Sequence, residues 1–287
     1  MYYQRVWSHF KLFLSTVLHQ PPSLPILHLQ LVLYIASLAK DGYSPATITS
    51  YMSALSFLHK LHHLPDPTTS FVVTKMLKGY RKLAPPPSVR LPITLIILQQ
   101  LLNALPFILH SAYEIALYKS MYSLAFYACL RIGEITSKSS LLDHNLQLSD
   151  VQFISYRNQW QHDILITFRS FKHSTPHKIH QLQVQDSQPI KPVSLLSAFL
   201  KHRGPKHGPL FMWQDSHPVS YNQFVSTLRD ALRFTGHSTT DYTSHSFRIG
   251  RATLAMEQGF SDLQIMKLGR WSSSAHLKYL RPASLSS

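Results

Sequence analysis

His245 and Arg248 stand three residues apart in HSFRIG, near the end of a 287-residue chain. On a helix that spacing projects both side chains from one face. At a helix N-terminus the unpaired N–H groups and partial positive charge suit a phosphate. Trp271 and Tyr279 follow, eight residues apart in RWSSSAHLKYLRP, and residues 245–282 hold four Arg in all. Far upstream, Arg131 directly follows the apolar run MYSLAFYACL, with Glu134 three residues on. A charge entering an apolar element is costly unless paired, so Glu134 is its natural partner. A guanidinium held by that acid keeps donors free to grip phosphate oxygens bidentately. Lys172 ends a strand-like segment at SFKHS, from where its ammonium could reach a substrate and deliver a proton.

Each of these features also has an ordinary structural reading. With 18 His in the chain a His–x–x–Arg pair arises readily by chance, and aromatics make up 11% of it. Arg131 and Glu134 could be a structural ion pair, and a Lys on a hairpin rim is usually a solvated edge charge.

The charge balance points one way. Twenty-eight Lys and Arg face 13 acids, a net +15. That excess favours a polyphosphate partner, with nucleic acid preferred over an acidic membrane because no basic amphipathic helix suited to a bilayer stands out. Apolar residues are 45% of the chain and charged residues 14%, the composition of a globular protein. No long uncharged apolar window occurs, and MYYQRVWSHFKL lacks a signal-peptide pattern, so a soluble intracellular protein with no membrane partner is expected. The one cysteine, Cys129, excludes a disulfide framework and a cysteine-based zinc site.

LAPPPSVRLP, at 83–92, divides the chain, because three consecutive prolines favour an extended segment. The expected organisation is a small basic helical module at 1–84, a linker at 85–92 and a second domain at 93–287. Four helices are predicted upstream, near 2–18, 27–41, 45–63 and 69–82. The third has Ser44 as cap, Pro45 in the first turn and an apolar stripe of Ile48, Tyr51, Met52, Leu55 and Leu58. Residues 1–86 carry eight Lys and Arg against Asp41 and Asp66. Downstream, helices are predicted near 93–104 and 111–129. VQFISY, DILITFRSF and IHQLQVQ then alternate as a three-stranded antiparallel sheet. Helices return near 193–202 and 219–235. Ser244 is predicted to cap a helix at 245–258 that stops at Gly259. Ser261 and Gln264 make a capping box for a shorter helix ending before Gly269, and a last helix holds Tyr279. The fold class is mainly α with a small antiparallel sheet. No internal repeat or low-complexity tract is present.

In order along the chain, ACLRIGEI, FKHS, HSFRIG, LGRW and HLKYLRP resemble the motifs of the tyrosine recombinase (phage integrase) superfamily, and the resemblance covers essentially the whole chain. The strings HSFRIG, LGRWSS and KYLRP are most similar to eukaryotic transposon members, the DIRS, Ngaro and Crypton types. The resemblance implies a four-helix SAM-like core-binding domain followed by a catalytic domain. It implies Arg131, Lys172, His245, Arg248, Trp271 and Tyr279 as catalytic residues, with Glu134 supporting Arg131. Trp271 takes the position filled by His or Trp, where bacterial members mostly carry His.

The implied activity is site-specific cutting and rejoining of double-stranded DNA through a 3′-phosphotyrosyl intermediate, with no metal, cofactor or ATP. The three Glu, at 114, 134 and 257, form no acid cluster for two-metal catalysis. The implied assembly is a monomer in solution and a homo-tetramer on DNA, with the two domains closing around the duplex about the linker. A nuclear location goes with the eukaryotic wording. Eight residues follow Tyr279, so protomer contacts are expected from its own short helix or the N-terminal helices. Two other readings share these features: a domesticated DNA-binding protein without recombinase activity, and a type IB topoisomerase-like enzyme.

Overall fold

The computed structural model describes residues 2–84, 89–137, 145–155, 162–169 and 179–281. The chain forms two compact units, Met1–Pro87 and Ser88–Ser287. Part of the proline-rich linker, 85–88, lies outside the described residues.

The first unit holds helices α1 (Tyr2–Thr16), α2 (His28–Lys40), α3 (Pro45–Leu61) and α4 (Phe71–Leu83). Ser44 Oγ accepts the Thr47 N–H at 3.2 Å and Pro45 opens α3, so this helix starts where its sequence signals put it. Ile48, Tyr51, Met52 and Leu55 face a core with Phe10, Leu14, Leu31, Tyr34 and Ile35. The stripe differs at its end. Leu58 is only half-buried, and His59, fully buried, takes the inner position. Both ring nitrogens of His59 are satisfied: Nε2 accepts the Ile26 N–H at 3.0 Å, and Nδ1 donates to the Leu55 carbonyl at 2.8 Å. Two hydrogen bonds thus make an imidazole acceptable where periodicity favours leucine.

The second unit begins with α5 (Leu95–Ile108) and α6 (Ala112–Tyr127), capped by Thr94 and Ser111. α5 runs past its expected end, with Pro106 inside its last turn. Strands β1 (Val151–Ser155), β2 (His162–Phe168) and β3 (His180–Val184) form an antiparallel sheet in the order β1-β2-β3. Ile166 pairs with Val151 and Ile164 with Val184, which puts Ile164, Ile166 and Phe168 on one buried face at the strand period of two.

Helices α7 (Pro192–Arg203), α8 (Tyr221–Phe234), α9 (Ser246–Glu257) and α10 (Asp262–Gly269) follow, and a 3-10 turn at Ser274–Tyr279 closes the described chain. The largely buried α6 is the centre of the core, against α5, α7 and α9. Among the described residues no helix is long and apolar enough to cross a membrane.

Candidate active site

Three helix ends build the site. α6 finishes with the Leu130 N–H on the Ala125 carbonyl (2.9 Å) and the Cys129 N–H on the Phe126 carbonyl (2.9 Å). This hydrogen-bond pair requires a left-handed residue just past the helix, usually glycine. Here it is Cys129, at φ 48°. α10 ends the same way: the Trp271 N–H bonds the Met266 carbonyl at 2.9 Å, and Arg270 takes the left-handed position at φ 55°. The sequence placed the end of α10 before Gly269, but that glycine is helical. A Cβ on Gly269 would lie 1.8 Å from the Trp271 ring, so this glycine serves ring packing and not chain reversal. α9 does stop at a left-handed glycine, Gly259.

The sharp end of α6 aims Arg131 inward. Arg131 lies outside any α-helix, heading a 3-10 turn at Ile132–Glu134, a difference from the helical spacing expected of it. The three-residue interval still serves, because the turn brings the Glu134 carboxylate back. Glu134 Oε2 accepts the Arg131 backbone N–H at 2.9 Å and Oε1 accepts Arg131 Nη1 at 3.1 Å. The same Oε2 accepts Arg270 Nη2 at 2.7 Å. One buried carboxylate is shared by two guanidinium groups.

Arg248, in the first turn of α9, is fully buried. Its Nη1 donates to the Cys129 carbonyl at 2.6 Å and its Nη2 to the Gly269 carbonyl. Its guanidinium carbon lies 4.1 Å from the Trp271 ring centre and 5.4 Å from that of Tyr279. Such distances are those of cation–π contacts. The Trp271 and Tyr279 rings meet at 4.9 Å, and the Tyr279 carbonyl accepts Thr253 Oγ1 at 3.3 Å. Trp271 and Tyr279 therefore form an aromatic cover over Arg248. Its Nε has no hydrogen-bond partner among the described residues.

The expected single face for His245 and Arg248 is not what forms. His245 is exposed at the cap position of α9, while Arg248 points into the protein. Ser244 is not the cap; the turn is closed instead by Ser246 Oγ, which accepts the Thr243 N–H at 2.9 Å. The structure thus brings together Arg131, Glu134, Arg248, Trp271 and Tyr279, with His245 on the outer end of α9. Lys172 lies outside the described residues. β2, the strand that precedes it, ends at Phe168 beneath the site: the Arg270 guanidinium carbon is 3.9 Å from the Phe168 ring centre.

Burial shapes the charges. It pulls the Arg270 guanidinium below its ordinary value, while Glu134 pushes it back up. Burial pushes the Cys129 thiol up, opposed by Arg248, Arg270 and Arg251. The same penalty lowers Arg251, one turn beyond Arg248. The site is a dense cationic pocket held by one acid and by backbone carbonyls.

No protein-family model matches the chain, and no curated protein matches it. Solved structures do. The chain is similar to the XerH site-specific recombinase bound to its difH substrate, at TM-score 0.63 and 15% identity over 96% of this chain and 74% of that one. It is similar to a lambda integrase dimer bound to a COC' core site, at TM-score 0.62 and 14% identity over 97% and 72%. The Tn1549 transposon integrase with transposon right end DNA gives TM-score 0.64 and 14% identity over 98% and 88%. The fold is that of the tyrosine recombinases.

Three residues of this cluster are not marked by motif spacing. Arg270 stands beside Trp271 in LGRW, where a charge between Leu268 and Trp271 needs the same explanation as Arg131. Cys129 contributes its carbonyl, to both Arg248 and Arg270 (3.3 Å), and not its thiol. Gly269 contributes the absence of a side chain. A carbonyl or a missing Cβ leaves no trace in residue spacing.

Proposed function

We propose that this chain is a site-specific DNA recombinase that cuts and rejoins double-stranded DNA through a 3′-phosphotyrosyl intermediate, with Tyr279 as nucleophile. The observation that carries the reading is the convergence of Tyr279 on Arg248 across the Trp271 ring. A free phenol, with pKa near ~10, is a poor nucleophile at neutral pH. Cations around the scissile phosphate favour its ionised form and neutralise charge on the pentacoordinate transition state. Arg131, steadied by Glu134, and Arg248 hold the non-bridging oxygens. The Tyr279 oxygen bonds to phosphorus as the bond to the 5′ oxygen breaks, and Lys172 supplies the proton to that leaving oxygen. His245 and the Trp271 indole N–H donate further hydrogen bonds to the phosphate. A second 5′ hydroxyl then reverses the step, so neither metal nor ATP is required.

For Arg248 to reach a phosphate, the Trp271–Tyr279 cover must shift. The motif wording further suggests an enzyme of a eukaryotic transposon, acting in the nucleus as a monomer that tetramerises on DNA.

A nicked suicide DNA substrate tests the reading on a denaturing gel. The chain should form a covalent adduct that Tyr279→Phe abolishes while duplex binding persists. Binding without any adduct would favour a DNA-binding protein lacking recombinase activity. Relaxation of supercoiled plasmid without strand exchange would favour a topoisomerase-like enzyme.

A further inference from the structure

We propose that Arg270 is a positioning residue of this site, holding the two phosphate-directed arginines through the acceptors it shares with them. The inference rests on the recombinase reading for its consequence but not for its geometry. The Arg270 side chain has no solvent exposure, and both of its terminal nitrogens donate to protein acceptors. Its Nη2 bonds the Glu134 carboxylate at 2.7 Å, and that carboxylate also holds the Arg131 side chain and backbone. Nη2 also reaches the Cys129 carbonyl at 3.3 Å, the acceptor of Arg248 Nη1, and Nη1 reaches the Ala128 carbonyl at 3.3 Å. Arg270 thus shares one acceptor with each arginine given to the phosphate.

Two physical points support the role. A left-handed backbone at a non-glycine residue is strained, so it persists where surrounding contacts over-determine it. At Arg270 the guanidinium contacts supply that determination. Glu134 would otherwise be a buried carboxylate paired with Arg131 alone. With Arg270 taking one oxygen, the acid is neutralised from behind and Arg131 keeps donors for a substrate. A planar fork reaches these acceptors together while its face lies on Phe168, which a lysine ammonium cannot do.

The test uses the full chain labelled with 15N-arginine, with the Arg131 Nε–H signal assigned by its loss in Arg131→Lys. The wild type should show an ordered Arg131 guanidinium, and Arg270→Met should release it to the mobility of an exposed arginine. Arg203→Met is the control. It removes a buried arginine that bonds the carbonyls of Gly204, Lys206, Pro209 and Leu210, away from the site, and should leave Arg131 ordered. Arg270→Lys replaces Arg270→Met if the latter fails to fold, with the same release expected. An Arg131 signal unchanged by loss of Arg270 overturns the proposal.

The second arm measures adduct formation on nicked DNA. Arg270→Met should slow it about a hundredfold, the scale of an ångström-sized misplacement. In a Glu134→Gln background the further loss should be under about threefold, because residues in one network are not additive. Equal losses in both backgrounds would mark a general structural role and overturn the proposal. A wild type that forms no adduct would sink the recombinase reading alone, since the Arg131 signal still decides the role of Arg270.

Discussion

The guanidinium of Arg248 sits 4.1 Å from the centre of the Trp271 ring, and the ring in turn holds Tyr279 at 4.9 Å. A cation fully removed from water is thereby covered by aromatic faces, while its hydrogen bonds run to backbone carbonyls. The arrangement concentrates positive charge behind an aromatic ring.

Trp271→Ala removes that cover and leaves a cavity among Ala252, Ala255, Ile265 and Leu268. The expected loss is about 3–5 kcal/mol in urea unfolding, the range for deletion of a large buried aromatic. Trp271→Phe should recover much of it. A loss below about 1 kcal/mol for the alanine variant would show that the ring is not packed as described.

Two glycines separate packing from backbone freedom. Gly269→Ala drives a Cβ to within 1.8 Å of the Trp271 ring and should destabilise the protein by about 1–3 kcal/mol while lowering adduct yield. Gly79 sits in α4 with nothing within 4 Å of the added atom. Gly79→Ala should therefore stabilise by roughly 0.5–1 kcal/mol. Thermal melts of the two variants should move in opposite directions.

Glu134→Gln leaves Arg270 buried with its only carboxylate partner among the described residues replaced by a neutral amide. Breaking a buried pair in this way costs about 3–5 kcal/mol. The matching double variant with Arg270→Met should recover part of the loss, since the uncompensated charge is gone. Equal stability of single and double variants would count against the pair.

Stability should fall at alkaline pH. Burial raises Tyr122 well above the ordinary phenol value and raises Tyr34 further than any other cause. The sign follows from proton binding. Above the unfolded value near ~10 the unfolded chain loses protons that the folded chain keeps, so stability present below that pH is lost as pH rises. Urea midpoints should be flat from pH 8 to 9.5 and drop beyond about pH 10, and Tyr122→Phe should make the drop shallower. A flat profile to pH 11 would contradict the burial of these hydroxyls.

Arg131→Lys and Arg248→Lys keep the charge but lose the fork. DNA cleavage should fall at least a hundredfold in each, while affinity, measured at one fixed salt concentration, changes less than tenfold. Parallel losses of rate and affinity would reduce both residues to ordinary backbone contacts.

How far the sequence could be read depended on whether a signal was local. The Ser44 cap, the capping box of Ser261 and Gln264, and the stop at Gly259 are local, and all three are in place. The alternating strands were equally legible, because a half-buried sheet imposes a period of two. Cys129 and Arg270 were not. Both take a conformation usually given to glycine, and what holds Arg270 there is a set of bonds to residues more than 130 positions away. The burial of His59 is illegible for the same reason: it depends on the Ile26 N–H, 33 residues earlier. Motif wording marks Arg131, Glu134, Lys172, His245, Arg248, Trp271 and Tyr279 as the expected site residues. The separation into an exposed His245 and a buried Arg248 is not legible there, because the depth of a side chain is set by tertiary packing.

Cys129 is the only thiol in the chain, and it lies fully buried with its Sγ 3.8 Å from the Arg248 carbonyl. A thiol reagent reaches it only when the packing of α9, α10 and Trp271 around it opens. Its labelling rate is thus an intrinsic clock for the opening of this site, read without any introduced probe. Slowed labelling on DNA would report a pocket clenched by its substrate, and faster labelling one held ajar.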